Sequence, residues 1–187
     1  VTNELGNEDK ILMSQVQLMK KQIDRYLKKA HLDSVGKVTK DKININELSE
    51  KMVRIFRKLY SNKDIKIRSS NNMALVLSSL EDMEEVIGNI VENACKWGEK
   101  MVIIDINNKS EEEFEMIISD DGPGLPENKM SRVFARGFRL DEQTPGTGLG
   151  LNIVKDIVEM CKGSVCLAKS KELGGLEVKI ILPLSKA

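Results

Sequence analysis

The sequence predicts an α+β fold, a two-layer α/β sandwich with helices on one face of a mixed sheet, preceded by one long helix. Long segments with apolar residues at helical spacing alternate with short runs rich in β-branched residues. Capping residues and glycines separate the two kinds of segment. The first helical segment has an apolar spacing of its own, which sets it apart from the sandwich.

Composition favours one soluble domain with an appendage. The chain has 187 residues, of which 41% are hydrophobic and 31% are charged. The net charge of +0 gives no general attraction to nucleic acid or to a membrane, and no apolar run approaches the ~20 residues that span a bilayer. Cys95, Cys161 and Cys166 lack metal-ligand spacing. We expect buried thiols in a reducing cytosol, with a Cys161–Cys166 disulfide as the alternative.

The first element is a charged helix within residues 1–33. Its apolar residues alternate steps of four and three, which is typical of a coiled coil or helix bundle; they are Leu12, Val16, Met19, Ile23, Tyr26 and Ala30. Such a helix needs a partner helix from another subunit or from preceding sequence. His31, the only histidine, follows without a base partner, so we interpret it as a linker residue. Residues 34–43 are predicted to be a linker, and residues 44–187 the second domain.

The second domain opens with a helix that Asn44 or Asn46 caps and that ends near Tyr60. Apolar spacing predicts its buried face, which consists of Leu48, Met52, Ile55, Phe56 and Leu59. Two short strands follow, at residues 65–67 and 74–77.

The next helix, at residues 83–97, has two different faces. Ser78 or Ser79 caps it and Gly98 stops it. One face is apolar and predicted to be buried, with Met83, Ile87, Ile90 and Ala94. The adjoining face is polar, with Glu85, Asn89, Asn93 and Lys96 at helical spacing. Amide and carboxylate oxygens suit a hard cation such as Mg²⁺, and the alternative is a solvated helix edge.

Four strands and two helical segments complete the predicted sheet and its helical layer. They are a hairpin at 101–106 and 114–119, a helical segment at 128–134, a helix from 146–150 to residue 160 or 161 with Gly163 as its stop, and strands at 164–168 and 176–182 around Gly174 and Gly175.

Two glycine motifs carry the predicted chemistry. Asp120 follows a strand and precedes Gly122 and Gly124, so its carboxylate could accept from an exocyclic amine while a flat ring approaches the backbone. The alternative is a tight turn, which uses aspartate and glycine freely. The second motif, Gly146-Thr147-Gly148-Leu149-Gly150, leads into a helix N-terminus, where free N–H groups favour phosphate. The alternative there is a flexible hinge.

The segment between the two motifs contains Arg136 and Arg139, together with Phe134 and Phe138. An arginine in this place could reach a terminal phosphate, and the phenylalanines could anchor a mobile lid when it closes. The alternative is an ordinary long loop.

In combination and in order, these motifs resemble the ATP-binding fold of the GHKL superfamily (the Bergerat fold), which includes gyrase and the sensor histidine kinases. The segment 87–97 is similar to the N box of sensor histidine kinases. Residues 120–124 resemble the first glycine box, 133–139 the F box and 146–154 the second glycine box. The resemblance covers residues 44–184.

The resemblance implies ATP and Mg²⁺ as ligands and assigns a role to each candidate residue. Asn93, with Asn89, would hold Mg²⁺, and Asp120 would accept the adenine amine. Lys96, Arg139 and Arg136 would contact phosphates, whereas Trp97 replaces the family's usual tyrosine and could stack near the nucleotide. Asn89, Glu85 and Arg139 are the candidate catalytic residues. The pocket would be shaped by Gly122, Gly124, Gly146, Thr147, Gly148, Leu149 and Gly150.

One departure from the family pattern matters, because no segment fits the H box that carries the phosphoacceptor histidine. The resemblance therefore implies a cytoplasmic kinase fragment of a membrane-bound sensor, with the second dimerisation helix and the catalytic domain. It would phosphorylate a histidine in a dimerisation domain, would serve a response regulator, and would not autophosphorylate. The alternatives are a nucleotide-binding interaction module without phosphotransfer and an anti-sigma-type serine kinase.

Overall fold

The computed structural model describes residues 41–70, 73–130, 133–134 and 150–185. All of them lie in the second of two compact units, which begins at Lys40. The long first helix, His31 and most of the predicted linker therefore lie outside the described residues. Strand β1, Asp41–Asn44, occupies the end of the segment that the sequence analysis assigned to the linker.

Apart from β1, which was not predicted, the strands and helices follow the predicted order with shifts at their ends. The helical segment predicted at residues 128–134 is shorter than expected, because residues 133 and 134 lie in a turn. The helices are α1 (Ile45–Leu59), α2 (Leu80–Trp97), α3 (Glu127–Met130) and α4 (Gly150–Met160). The strands after β1 are β2 (Asp64–Ser69), β3 (Leu75–Ser78), β4 (Met101–Asn108), β5 (Glu113–Asp120), β6 (Ser164–Lys169) and β7 (Leu176–Pro183).

A five-stranded sheet in the order β2-β4-β5-β7-β6 forms one layer. Only β2 and β4 are parallel and the other neighbours are antiparallel, so the sheet is mixed. Helix α2 lies between α1 and α4 and also packs on β4 and β5. Alternate residues of the central strands, such as Ile104, Ile118 and Ile180, are fully buried against the helices. This confirms the predicted two-layer fold, and β1 and β3 add a separate antiparallel pair.

Local signals explain where the helices begin and end. The Asn44 side chain caps α1 by accepting from the backbone N–H groups of residues 46 and 47. Ser79 caps α2 in the same way, with Oγ 3.1 Å from the amide nitrogen of Asp82. Helix α4 ends as predicted beside Gly163, but the residue with positive φ is Lys162. Gly163 is needed because a Cβ there would collide with the backbone of Ile181.

Two predictions about burial are wrong. On α1, Ile55 and Leu59 are 46% and 69% exposed, whereas Ser49 and Val53 are buried, because the helix turns a different face to the sheet. Cys166 is exposed rather than buried, because it lies on the open face of the edge strand β6. Cys95 and Cys161 are buried as predicted, and all three thiols are free, which excludes the alternative disulfide.

Candidate functional site

The carboxylate of Asp120 is the chemical centre of the site. Asp120 is the last residue of β5 and lies on the helix-covered face, where it is 3% exposed. Its Oδ1 atom accepts from the backbone N–H of Gly122 at 2.9 Å and of Leu176 at 3.2 Å. Within the described part of the chain, no donor reaches Oδ2. One oxygen is thus fixed by the backbone while the other remains free to accept a hydrogen bond.

The electrostatic setting of Asp120 is unusual for a carboxylate. Burial raises its pKa, and the amides of Gly122 and Leu176 offset only part of that rise. The neighbouring charge of Asp121 raises the pKa further. Among the described residues, no lysine or arginine forms an ion pair with Asp120. Among the described residues, the accepting oxygen of Asp120 is therefore held without a cation beside it.

Three glycines allow backbone segments to close around this carboxylate. A Cβ at Gly122 would collide with the carbonyl oxygen of Trp97, and a Cβ at Gly175 would collide with the Asp120 carboxylate. Gly124 adopts a φ of 68°, which favours glycine. Gly122 and Gly124 were predicted as pocket residues from their motif. Gly175 was predicted only as a turn residue between the last two strands.

Helix α2 carries the predicted polar face. The Asn89 side chain donates through Nδ2 to the carbonyl of Glu85 at 2.7 Å, which leaves its amide oxygen to point elsewhere. That oxygen lies against the start of α4, since a Cβ at Gly150 would be 2.8 Å from it. Asn93, one turn later, is half-buried and makes no hydrogen bond to another described residue. The structure thus brings Asn89 and Gly150 together and leaves the Asn93 amide available.

The C-terminal end of α2 joins this polar face to the Asp120 turn. Asn93 and Asn89 precede Trp97 by about 6 and 12 Å along the helix axis. Trp97 is 38% exposed, and Lys96 Nζ lies 5.8 Å from the centre of its ring. Because the Trp97 carbonyl touches Gly122, the end of α2 that carries Asn93 and Trp97 lies directly against the turn that follows Asp120.

Asp121 is a structural residue that the sequence analysis did not single out. Its side chain accepts from the backbone N–H groups of Glu99 and Lys100 at 2.8 to 3.1 Å. Burial would raise the pKa of Asp121, but hydrogen bonds from the amides of Lys100, Met101 and Glu99 outweigh it and hold the pKa below its usual range. The only sign of this role in the sequence is a second carboxylate directly after Asp120. Its partners could not be predicted, because they lie more than twenty residues away in the sequence.

Part of the F-box segment is also visible. The Phe134 carbonyl accepts from Asn152 Nδ2 at 3.1 Å, and Lys155 Nζ lies 5.9 Å from the Phe134 ring centre. Both partners belong to α4, so Phe134 contacts the helix that begins at Gly150. The remaining candidates lie outside the described residues; they are Arg136, Arg139, Gly146, Thr147, Gly148 and Leu149.

Comparison with known proteins finds sensor kinases among the relatives of this chain. Sensor protein kinase CarS of Pseudomonas aeruginosa is 44% identical over 107 residues, which is 57% of this chain and 24% of CarS. The virulence sensor histidine kinase PhoQ of Salmonella typhimurium is 28% identical over 179 residues, which is 95% of this chain and 36% of PhoQ. The chain therefore spans between a quarter and about a third of the length of these relatives.

A solved structure supports the fold. The mycobacterial sensor histidine kinase MprB superimposes with a TM-score of 0.71 at 24% identity, over 79% of this chain and 99% of that one. Among the described residues, none of the helices is long and apolar enough to cross a membrane.

A family profile described as histidine kinase-, DNA gyrase B-, and HSP90-like ATPase matches residues 78–186, more than half of the chain. The resemblance predicted from the motifs is thus confirmed, and the chain belongs to this ATPase family.

Proposed function

We propose that this chain binds Mg-ATP in the cleft beside α2 and transfers the γ-phosphate to a histidine of a dimerisation domain. The phosphoryl group would then pass to a response regulator, and both steps would take place in the cytoplasm. The observation that carries the proposal is the Asp120 carboxylate, with one oxygen held by two backbone amides and the other free. Two sensor kinases among the relatives support the reaction type.

The base of the nucleotide would lie against Asp120. The free oxygen can only accept a hydrogen bond, so it favours an exocyclic amine and disfavours a carbonyl at the same place. Gly122, Gly124 and Gly175 leave room for a flat ring close to the backbone. These two properties together fit adenine better than guanine.

The phosphates would lie further along α2. Mg²⁺ prefers oxygen ligands, and bound there it would neutralise charge on the phosphates. The amides of Asn89 and Asn93 fit this ion, because the Asn89 oxygen is oriented by the bond from Nδ2 to Glu85 and the Asn93 amide is available. No group of three His, Cys, Asp or Glu side chains in the described ranges offers a competing metal site. Glu85 would act beside these amides in catalysis.

Charged side chains would complete the phosphate site. Among the residues that the structure describes, Lys96 is the candidate for a phosphate contact. It projects from the last turn of α2 beside Trp97. Arg136 and Arg139 remain predictions from the resemblance, as do the N–H groups of residues 146–150 at the start of α4. These assignments keep the base at Asp120 and the phosphates towards Gly150, as the length of α2 allows.

Nucleotide binding can be measured with the single tryptophan. Trp97 fluorescence should change when ADP and Mg²⁺ are added, and the melting temperature should rise. Ligand at a hundred times its dissociation constant adds ~2.7 kcal/mol of apparent stability. Asn93→Ala should weaken the magnesium-dependent part of the affinity, whereas the control Asn62→Ala, in the exposed turn after α1, should bind like wild type. An equal magnesium dependence in Asn93→Ala and wild type would contradict the assigned ligand.

Phosphotransfer needs a separate test. The chain is mixed with a dimerisation domain that carries a phosphoacceptor histidine, a response regulator and γ-labelled ATP. Acid-labile label on the histidine supports the proposal. If nucleotide binds but no label appears, the chain is an interaction module without transfer, and acid-stable label on serine indicates a serine kinase.

A further inference from the structure

A short loop follows α2, at residues 98–100, and its backbone is bound by side chains from two other segments. The Asp121 carboxylate accepts from the N–H groups of Glu99 and Lys100. From the other side, Lys63 Nζ donates to the carbonyl of Gly98 at 2.5 Å and to that of Glu99 at 2.9 Å. An exposed loop can satisfy these groups with water, so two charged side chains committed to one loop indicate that its position matters.

The position of this loop sets the spacing between α2 and the Asp120 turn. Gly98 ends the helix through the bond from its N–H to the Ala94 carbonyl. A Cβ at Gly98 would be 3.2 Å from the Cβ of Asp120 and 3.3 Å from Oδ1 of Asp121. The Trp97 carbonyl, one residue earlier, touches Gly122. The helix end and the carboxylate turn are therefore in direct backbone contact, and Asp121 ties them together.

From these contacts we infer that Asp121 is a positioning residue for the nucleotide site. Its carboxylate holds the end of α2, with Lys96 and Trp97, at a fixed distance from Asp120, and Lys63 supports the same loop from β2's side of the sheet. This inference rests on the proposed function, because it describes how the base site and the amide face of α2 keep their spacing.

A purely stabilising role is the competing explanation. Asp121 would then resemble any carboxylate that caps a turn, and its loss would lower stability without a specific effect on the ligand. Its negative charge also raises the pKa of Asp120, so it is not placed there to help that carboxylate ionise. If Asp121 sets the spacing, its replacement should weaken ADP binding even under conditions where the variant is fully folded.

The test compares Asp121→Ala and Asp121→Asn with a carboxylate on the opposite face of the sheet. Asp105→Asn is the matched control, because Asp105 pairs with Arg68 away from the cleft. ADP-Mg affinity is measured by calorimetry, stability by thermal unfolding, and the position of Trp97 by iodide quenching without nucleotide. We expect Asp121→Ala to weaken ADP binding by about tenfold and to expose Trp97, since the charge-assisted hydrogen bonds from the backbone of residues 99 and 100 are lost. Asp121→Asn keeps an accepting oxygen and should lose about threefold or less.

Lys63→Met provides an independent variant if Asp121→Ala does not fold. It should weaken ADP in the same direction, and it should be less than additive with Asp121→Asn, because both act on one loop. The inference is overturned if Asp121→Ala and Asp121→Asn bind ADP within a factor of two of wild type, or if Asp105→Asn weakens binding equally. Failure of the wild-type chain to bind ADP would instead contradict the proposed function.

Discussion

The carboxylates on the two faces of the five-stranded sheet differ in the partners that they contact. On the open face, Arg68 forms forked hydrogen bonds with Asp105 of β4 and with Glu172 of the loop between β6 and β7. The single positive charge of Arg68 is shared between the two carboxylates at the surface. On the helix-covered face, Asp120 is buried, and its donors among the described residues are neutral backbone amides. The carboxylates on the open face share a cation, whereas Asp120 has none in the described part of the chain.

This difference in partners distinguishes carboxylates that only stabilise the fold from one that is available to a ligand. A buried carboxylate without a cation makes the folded state less stable, because the charged form loses hydration. Such a cost is common at sites where a ligand completes the hydrogen bonding. The paired carboxylates on the open face need no ligand. Replacement of the buried carboxylate should therefore raise stability in the absence of nucleotide and weaken binding. Replacement of a paired carboxylate on the open face should lower stability slightly and leave binding unchanged.

Replacement of Asp120 should give the largest effect. In Asp120→Asn, the fixed oxygen can still accept from Gly122 and Leu176, but an NH₂ group replaces the free oxygen. We expect ADP affinity to fall about 100-fold, since a hydrogen bond to a charged group contributes about 1.5–3 kcal/mol and a donor now faces a donor. Affinity for IDP, which has a carbonyl at that position, should fall much less. Calorimetry with both nucleotides measures the difference.

Without nucleotide, the same variant should be more stable than wild type at a pH above the raised pKa of Asp120. The folded-state pKa of Asp120 is raised, so the folded protein holds this proton more tightly than the unfolded chain, and wild-type stability falls as pH rises through that pKa. The advantage of Asp120→Asn should be present above the raised pKa and disappear below the ordinary carboxyl pKa. A stability difference that does not change with pH would contradict this account.

A methyl group at Gly175 should have the next largest effect. It would collide with the Asp120 carboxylate and its backbone, so Gly175→Ala must displace the start of β7 from the turn. We expect a loss of ~1–3 kcal/mol of stability and a clear loss of ADP affinity. Gly174→Ala is the matched control. Its φ of 85° is strained for alanine, but nothing lies within 4 Å of the added carbon.

That control separates strain from contact with the site. Gly174→Ala should cost ~1 kcal/mol of stability through the backbone alone and should leave ADP affinity unchanged. Thermal unfolding and calorimetry on the two variants give the comparison. Equal losses of ADP affinity in the two variants would show that any distortion of the β6–β7 loop weakens binding. The contact between Gly175 and Asp120 would then have no specific role.

Much of the fold could be predicted because the signals are local. Asn44, Ser79 and Gly98 mark helix ends through contacts within four residues in sequence. The apolar spacing of α2 also identified its buried face correctly. On α1 the same reasoning failed for Ile55 and Leu59, because spacing defines a stripe but not its rotation. Packing against the sheet selects the stripe with Ile45, which includes the polar Ser49.

The site was predictable only in part, for a related reason. Asp120, Gly122 and Gly124 lie in one short motif whose residue types indicate their chemistry. Gly175 and the amide of Leu176 reach Asp120 from 55 and 56 residues away, and no local pattern predicts that pairing. The contacts of Asp121 with residues 99 and 100 also join positions more than twenty residues apart. Residues that support a site from other strands become visible only when the sheet is assembled.

The open face should show the smallest effect and complete the comparison. Asp105→Asn removes one fork of the Arg68 cluster, in which the side chains of Arg68 and Glu172 are 48% and 56% exposed and that of Asp105 is 20% exposed. Exposed ion pairs contribute little, so we expect the melting temperature to fall by no more than about 2–4 °C at low salt. Because the pair is screened, the difference should shrink further in 1 M salt, where the Debye length is about 3 Å. ADP affinity should not change, since Asp105 lies on the face of the sheet that α2 does not cover. A fall in affinity comparable to that of Gly175→Ala would mean that the Arg68–Glu172 contact holds the β6–β7 loop against Asp120, and that the two faces are coupled.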